Sequence, residues 1–162
     1  DMNSPLKLLY VCTHNACRSI LAEVVTREIL GNRAEVRSAG SSPAGRIHPL
    51  TLQFLQAQGH TATDLASESF EEHRNFDPDI VVTVCQSAAN EVCPVWLEPA
   101  ANVHWGLPDP SHANGDQHAK LKAFEPVMQI IAQRAAALAA LKFEGFSTAE
   151  TARAMQTMES LS

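Results

Sequence analysis

Five residues separate Cys12 from Arg18 in Val11-Cys12-Thr13-His14-Asn15-Ala16-Cys17-Arg18-Ser19. A cysteine is a nucleophile when its thiolate is favoured, and a guanidinium can grip two oxygens of one anion with a planar fork. The preceding run Leu8-Leu9-Tyr10-Val11 reads as a buried strand ending on the thiol, and Ser19 reads as opening a helix. Between a strand end and a helix start, successive backbone N–H groups turn toward one point and make a nest for a tetrahedral oxyanion. Thr13, His14, Asn15, Ala16, Cys17, Arg18 and Ser19 are therefore the candidate oxyanion-binding loop, with Cys12 as its nucleophile. The same field favours the thiolate, Ser19 can donate its hydroxyl to it, and Asn15 can brace a tight turn.

The elements that must position this loop alternate. Strands are expected over Lys7–Val11, Ala34–Ala39, Asp79–Val84 and a short Val103–Trp105; Asp79–Val84 is the most β-branched stretch. Helices are expected over Ser19–Leu30 and Pro49–Gln58, each stopped by a glycine. Ser67–Asn75 reads as a short helix or a loop. A long Ala- and Leu-rich helix over Asp116–Leu141 must kink or divide near Pro126. Ser147-Thr148-Ala149-Glu150 is a capping box opening a last polar helix. This alternation predicts a single α/β domain with an open, mostly parallel four-stranded sheet flanked by helices. In such sheets ligands bind beyond the carboxyl ends of the strands, where Cys12, Cys85 and Asp109 all fall.

A chain of 162 residues, 45% of them hydrophobic, can bury one proper core. The net charge of −6 argues against nucleic-acid or membrane partners held by bulk electrostatics, so an anion must be attracted locally. No stretch reads as a secretory signal or membrane span, and four cysteines in that setting read as catalytic or redox-active. A soluble, cytoplasmic protein is expected. The histidines show no metal-ligand spacing.

The stretch Val11 to Glu23 resembles the phosphate-loop signature of the low-molecular-weight protein tyrosine phosphatase superfamily, and in particular its arsenate reductases of the thioredoxin-coupled type. The similarity continues through Ser38-Ala39-Gly40, Val82-Thr83-Val84-Cys85 and His104-Trp105-Gly106-Leu107-Pro108-Asp109-Pro110. It covers roughly residues 6–141, which leaves 142–162 as a C-terminal helical extension. The resemblance implies the low-molecular-weight phosphatase-like fold and makes Asp109 the general acid. Arsenate becomes the expected oxyanion, with phosphate and sulfate as shape mimics.

Reduction needs two electrons, hence more than one thiol. Cys85 ends the strongest strand and Cys93 lies eight positions on. If that strand neighbours the first, Cys85 can approach Cys12, because adjacent strands run about 4.8 Å apart. A helix spanning Cys85 to Cys93 would separate them by about 12 Å, so a bond between them requires that segment to unwind or loop out. Cys12, Arg18, Cys85, Cys93 and Asp109 are thus the expected catalytic set. No Cys-x-Cys pair is present, which favours thioredoxin over glutaredoxin as reductant. Cys17 reads either as a structural residue or as a partner for Cys12 in a regulatory disulfide. The resemblance also implies a potassium site behind the loop at Asn15, Glu23 and Ser38, with Glu68 near the position of a family aspartate. Two other readings stay open: a phosphatase hydrolysing phosphomonoesters, and a thiol redox sensor or oxyanion-binding module without turnover. A tyrosine phosphatase would carry tyrosines after Asp109, where this chain has Pro110-Ser111-His112.

Overall fold

A computed structural model describes residues 4–91 and 94–161. Four strands, β1 (Leu6–Cys12), β2 (Ala34–Gly40), β3 (Ile80–Thr83) and β4 (Ala101–His104), form one sheet in the order β2-β1-β3-β4. All three pairings are parallel, with Val11 opposite Ala39 on one side and Thr83 on the other. The sheet is thus wholly parallel. In a parallel sheet the crossovers cover both faces, so the central strands lose the hydrophobic alternation of a half-exposed strand. Leu8 to Cys12 and all of β3 are accordingly buried. Each fully buried Leu, Ile or Val side chain here contributes about 1.5–3 kcal/mol relative to exposure.

Helix α1 (Arg18–Leu30) leaves the loop directly and packs against α5 (Phe124–Ala140). Helix α2 (Pro49–Ala57) begins with proline at a position whose N–H has no helical acceptor, and His48 Nδ1 accepts from the Leu50 N–H at 3.1 Å. Phe54 of α2 stacks on Phe124 at 5.2 Å between ring centroids, which joins α2 to the start of α5. The expected long helix divides: α4 (Gln117–Lys122) stops at Ala123, and Pro126 falls in the first turn of α5. A proline there removes only an N–H that a helix start leaves unpaired anyway. Ser67–Asn75 contains a short 3-10 turn, Phe70–His73, and α3 (Gln86–Asn90) follows β3.

The capping box at Ser147 and Glu150 is formed and opens α6 (Thr148–Thr157). This polar helix packs on β4 rather than extending into solvent. The Gln156 carboxamide accepts from the His104 N–H at 2.8 Å and donates to the His104 carbonyl at 2.9 Å. Trp105 is buried, and its indole N–H donates to the Met155 carbonyl at 2.6 Å. Among the described residues no helix is long and apolar enough to cross a membrane.

Candidate functional site

The loop from Cys12 to Ser19 is shaped by where its carbonyls go. The carbonyls of Thr13, His14 and Ala16 accept outward from the N–H groups of Ser42, Ala44 and His48, at 2.9, 3.0 and 3.0 Å. With the oxygens pulled out, the peptide planes turn their N–H groups inward. Among the described residues the backbone N–H groups of His14, Ala16 and Cys17 have no protein acceptor, while that of Asn15 reaches Cys12 Sγ at 3.3 Å. Asn15 has φ of +48°, a left-handed conformation that asparagine tolerates better than most residues. Gly40 lets the end of β2 lie against the loop; a Cβ there would come within 2.6 Å of the Thr13 carbonyl oxygen.

A directed chain of hydrogen bonds ends on the thiol. Ser38 Oγ donates to Glu23 Oε1 at 2.5 Å and accepts from Asn15 Nδ2 at 2.9 Å. Asn15 Nδ2 also donates to Ser19 Oγ at 2.8 Å. Ser19 Oγ stands 2.8 Å from Cys12 Sγ, within hydrogen-bond distance. Glu23, at the head of this chain, is buried on α1 and paired with Arg27 one turn on. Burial pushes the Glu23 carboxyl up, against the opposing pull of Ser38 and Arg27. The Glu23–Arg27 spacing of four is the sequence signal that could have exposed this pair.

Asn15, Glu23 and Ser38 are thus brought together as expected, but Glu68 joins through its backbone. Its N–H donates to Asn15 Oδ1 at 2.8 Å, while its carboxylate lies 3.3 Å from His73 Nε2. A potassium ion needs several oxygens with free lone pairs facing one point. Here Asn15 Oδ1 is taken by Glu68, and Glu23 is shared between Ser38 and Arg27. The Arg27 guanidinium also bonds the Val36 carbonyl and Asp64, each at 2.9 Å. It supplies positive charge where the cation was expected, so the residues in this arrangement do not fit potassium. Replacing Arg27 with glutamine should strand a buried carboxylate. Arg27 is itself part-exposed, which limits the cost to about 1–2 kcal/mol at neutral pH, or roughly 2–8 °C in melting temperature. Because Glu23 binds its proton more tightly folded than unfolded, its ionisation lowers stability as pH rises through its folded pKa. The deficit of R27Q should widen from pH 5 to pH 8 in thermal melts; a constant gap would deny Glu23 this part.

Arg18 reaches across to the segment after β4. Its Nη1 donates to the Leu107 carbonyl at 3.2 Å, and its Nη2 lies 3.6 Å from Asp109 Oδ2. Asp109 Oδ1 accepts from both the N–H and the hydroxyl of Ser111, at 2.9 and 2.7 Å, and His112 Nε2 stands 3.4 Å from Oδ2. Burial alone would raise this carboxyl, but the Ser111 bonds, then Arg18 and His112, outweigh it and hold it below its usual value. A cavity of about 260 Å³ opens between Cys12, Thr13, Arg18, His48, Asp109 and His112. A larger one, about 450 Å³, lies at the far end of the sheet around Lys7, Asp79 and Phe143; it is lined by no thiol.

Cys85 arrives from the neighbouring strand. The β1–β3 pairing continues past the strands with Val84 N–H donating to the Val11 carbonyl at 2.9 Å. That brings Cys85 beside the loop, with its Sγ 3.7 Å from Thr13 Oγ1. Its sulfur also accepts from the Ala88 N–H at 3.4 Å, capping α3. Cys12, Cys17 and Cys85 are buried free thiols. Cys17 is pushed up to about 12 by burial, which makes it a poor nucleophile beside Cys12. Cys93 lies outside the described residues. Among described residues no cluster of His, Cys, Asp and Glu could hold a metal.

A thiol loop at the end of the first strand of a wholly parallel sheet, with an aspartate loop folded over it, is a family architecture. The family model of low molecular weight phosphotyrosine protein phosphatase matches residues 7–152. The chain belongs to this family. Its relatives include an arsenate reductase of Halalkalibacterium halodurans, 32% identical over 127 residues, which are 78% of this chain and 90% of that protein. Among solved structures, an arsenate reductase in the phosphate binding state superposes with a TM-score of 0.68 at 25% identity, covering 83% of this chain and 97% of that one. The thioredoxin-dependent arsenate reductase of Corynebacterium glutamicum gives a TM-score of 0.58 at 27% identity, over 83% of this chain and 64% of that longer one. The family match ends at residue 152, inside α6.

Proposed function

We propose that this protein reduces arsenate to arsenite and passes the oxidising equivalents outward through three cysteines to thioredoxin. The observation that carries this reading is Cys85: a second reduced thiol, at the end of the strand adjoining β1, beside the loop that holds Cys12. Hydrolysis of a phosphoester has no use for it.

Arsenate sits in the loop, held by inward N–H groups and by Arg18. The Cys12 thiolate attacks arsenic(V); an S–As bond forms, an As–O bond breaks, and Asp109 delivers the proton with which that oxygen leaves as water. Asp109 is ionised in the free protein, and the anion in the loop raises its proton affinity, so it takes up the proton from the bound monoanion. Cys85 then attacks Cys12 Sγ, and its thiol proton passes to an oxygen of the departing arsenic. The S–As bond breaks with its electron pair on arsenic, which departs as arsenite, and a Cys12–Cys85 disulfide remains. Cys93 attacks Cys85 Sγ and releases Cys12 as thiolate. Thioredoxin's dithiol reduces the resulting Cys85–Cys93 disulfide by exchange. The sum is arsenate plus a dithiol to arsenite, water and a disulfide.

Helix α3 occupies the first five residues after Cys85, and its opening would give the chain the slack to bring Cys93 to Cys85. Five residues are well below the length at which a helix is stable in isolation, so opening is cheap. A relay recharged by thioredoxin operates in a reducing compartment, which supports reading the protein as cytoplasmic.

Arsenate-dependent NADPH oxidation with thioredoxin and thioredoxin reductase, run beside hydrolysis of an aryl phosphate, tests the reading. Coupled oxidation is expected; its absence at every arsenate concentration, with aryl phosphate hydrolysed, would establish the phosphatase instead. Inactivity in both would leave an oxyanion-binding or redox-sensing module. The structure offers an aromatic ester little purchase, since the single tyrosine, Tyr10, is fully buried and bonded to Thr26. Replacing Cys93 with serine should release about one arsenite per protein and then stop, because thioredoxin cannot reach the buried Cys12–Cys85 bond. Sustained turnover of C93S would remove Cys93 from the scheme.

A further inference from the structure

Arg134 belongs to α5 and is buried, yet among the described residues it makes no contact with a carboxylate. Its Nη1 donates to the Gly106 carbonyl at 3.1 Å and its Nη2 to the Glu159 carbonyl at 2.9 Å. The circle closes, because Glu159 Oε2 accepts from the Gly106 N–H at 3.2 Å. Both polar groups of one peptide position are thus held by a single clasp made of α5 and the turn after α6. A Cβ at Gly106 would stand 3.1 Å from His104 Nε2, a close approach that asks that side chain to give by a few tenths of an ångström, and 3.5 Å from Glu159 Oε2, an ordinary contact.

The clasped residue is the root of the loop that meets the oxyanion site. The next carbonyl, that of Leu107, accepts from Arg18, and Asp109 lies two residues farther on. On the other flank, the Trp105 and Leu107 N–H groups bond the carbonyls of Thr83 and Val84, so the loop is tied to β3 as well. The β3 ties fix the distance of the loop from the sheet. The clasp fixes Gly106, around which the Asp109 arm would otherwise pivot. A guanidinium taken out of water is costly unless its N–H groups find acceptors, and Arg134 finds two on separate segments. Displacing either segment strands charge, so the pair is held in one arrangement.

We propose that Arg134 is a positioning residue for the reaction. It holds Gly106 to Glu159 so that Asp109 addresses the oxyanion held in the loop, which makes the C-terminal turn a working part of the site. This rests on the role given to Asp109 above. The test compares R134M, R134K and E159A, each alone and combined with D109N, by single-turnover arsenite formation and by kcat and KM. D109N should lower kcat by about 10²-fold, in the range of a lost general acid. R134M should lower kcat by about 10- to 100-fold, as for a small misplacement of a reacting group, and R134K should recover part of that loss. In the D109N background R134M should add no more than about threefold, because a misplaced group that is already absent cannot be misplaced further. E159A, at a half-exposed side chain, removes the Gly106 acceptor but keeps the backbone carbonyl that Arg134 uses, and should reproduce the pattern at smaller size, even if R134M fails to fold. Folded R134M or E159A with wild-type kcat, or losses of equal size in the D109N background, would overturn the clasp while leaving Asp109 its role. If D109N itself keeps wild-type kcat, the Asp109 reading falls first and the clasp as proposed falls with it.

Discussion

Replacing Cys12 with serine should abolish arsenate-dependent turnover, by a factor on the order of 10⁴ or more, the scale on which losing a nucleophile acts. The substitution is nearly isosteric, so the loop should survive it. What it removes is the atom on which every directed bond converges. Asn15 braces Ser38 and Ser19, Ser19 Oγ lies in hydrogen-bond contact with Cys12 Sγ, and the Asn15 N–H points at the same sulfur. A serine hydroxyl in that place is a far weaker nucleophile than a cysteine sulfur. Serine also cannot enter a disulfide, so even a slow attack on arsenic would lead nowhere. Binding should persist, because the inward N–H groups and Arg18 are untouched. Calorimetry with inorganic phosphate should give a Kd within about threefold of wild type, as for a change that leaves binding contacts in place. NADPH oxidation by C12S above the no-enzyme rate would sink the nucleophile assignment, and loss of phosphate binding would show that the loop had collapsed.

The second large effect is expected at Cys85. C85S should release arsenite at least about 10³-fold more slowly, since a thiol held beside the reacting sulfur is worth many molar of the same thiol in solution. The fold should be indifferent to the change. Cys85 caps α3 by accepting from the Ala88 N–H, and serine is a good residue in that position. Arsenate should still be bound and attacked, but the adduct has only water to meet, and water returns it as arsenate. Hydrolysis of an aryl phosphate, if measurable in the wild type, should stay within about threefold, because that chemistry draws only on groups that C85S leaves intact. The two assays together separate the variants: C12S loses both activities and C85S only reduction. An arsenite yield from C85S equal to wild type would take Cys85 out of the relay.

Much of this site could be read before any coordinates, and the reasons are local. The apolar run into Cys12, the Arg18 spacing and the helix start at Ser19 are near-neighbour features, and the backbone between them has few ways to fold. The parallel sheet followed from alternation, which placed the ends of β1, β3 and β4 at one edge. Non-local pairings were harder. Glu68 was expected to offer a carboxylate and instead gives its N–H to Asn15, a choice decided by how the segment runs past Gly40. Arg27, one turn from a glutamate, has the local pattern of an ordinary exposed pair, and nothing local marks its bonds to Val36 and Asp64. Arg134 does carry a local signal. The buried positions of α5 include Val127, Ile131, Arg134 and Leu138, so an arginine falls on the apolar stripe. A cation at such a register must find acceptors in the interior, but which carbonyls it finds is set by two segments distant in sequence. Pro126 predicted a break correctly in kind; the break falls three residues earlier, where Ala123 ends α4.

Gln156 places one side-chain amide against both backbone groups of His104. β4 is an outer strand, and an outer strand with free N–H and C=O groups is a template for pairing with another chain. The Gln156 carboxamide occupies those groups as a neighbouring strand would, but it stops after one residue and presents no further row to continue the ladder. The same C-terminal segment that steadies the Asp109 loop thus also protects the sheet from growing, edge to edge, into an aggregate.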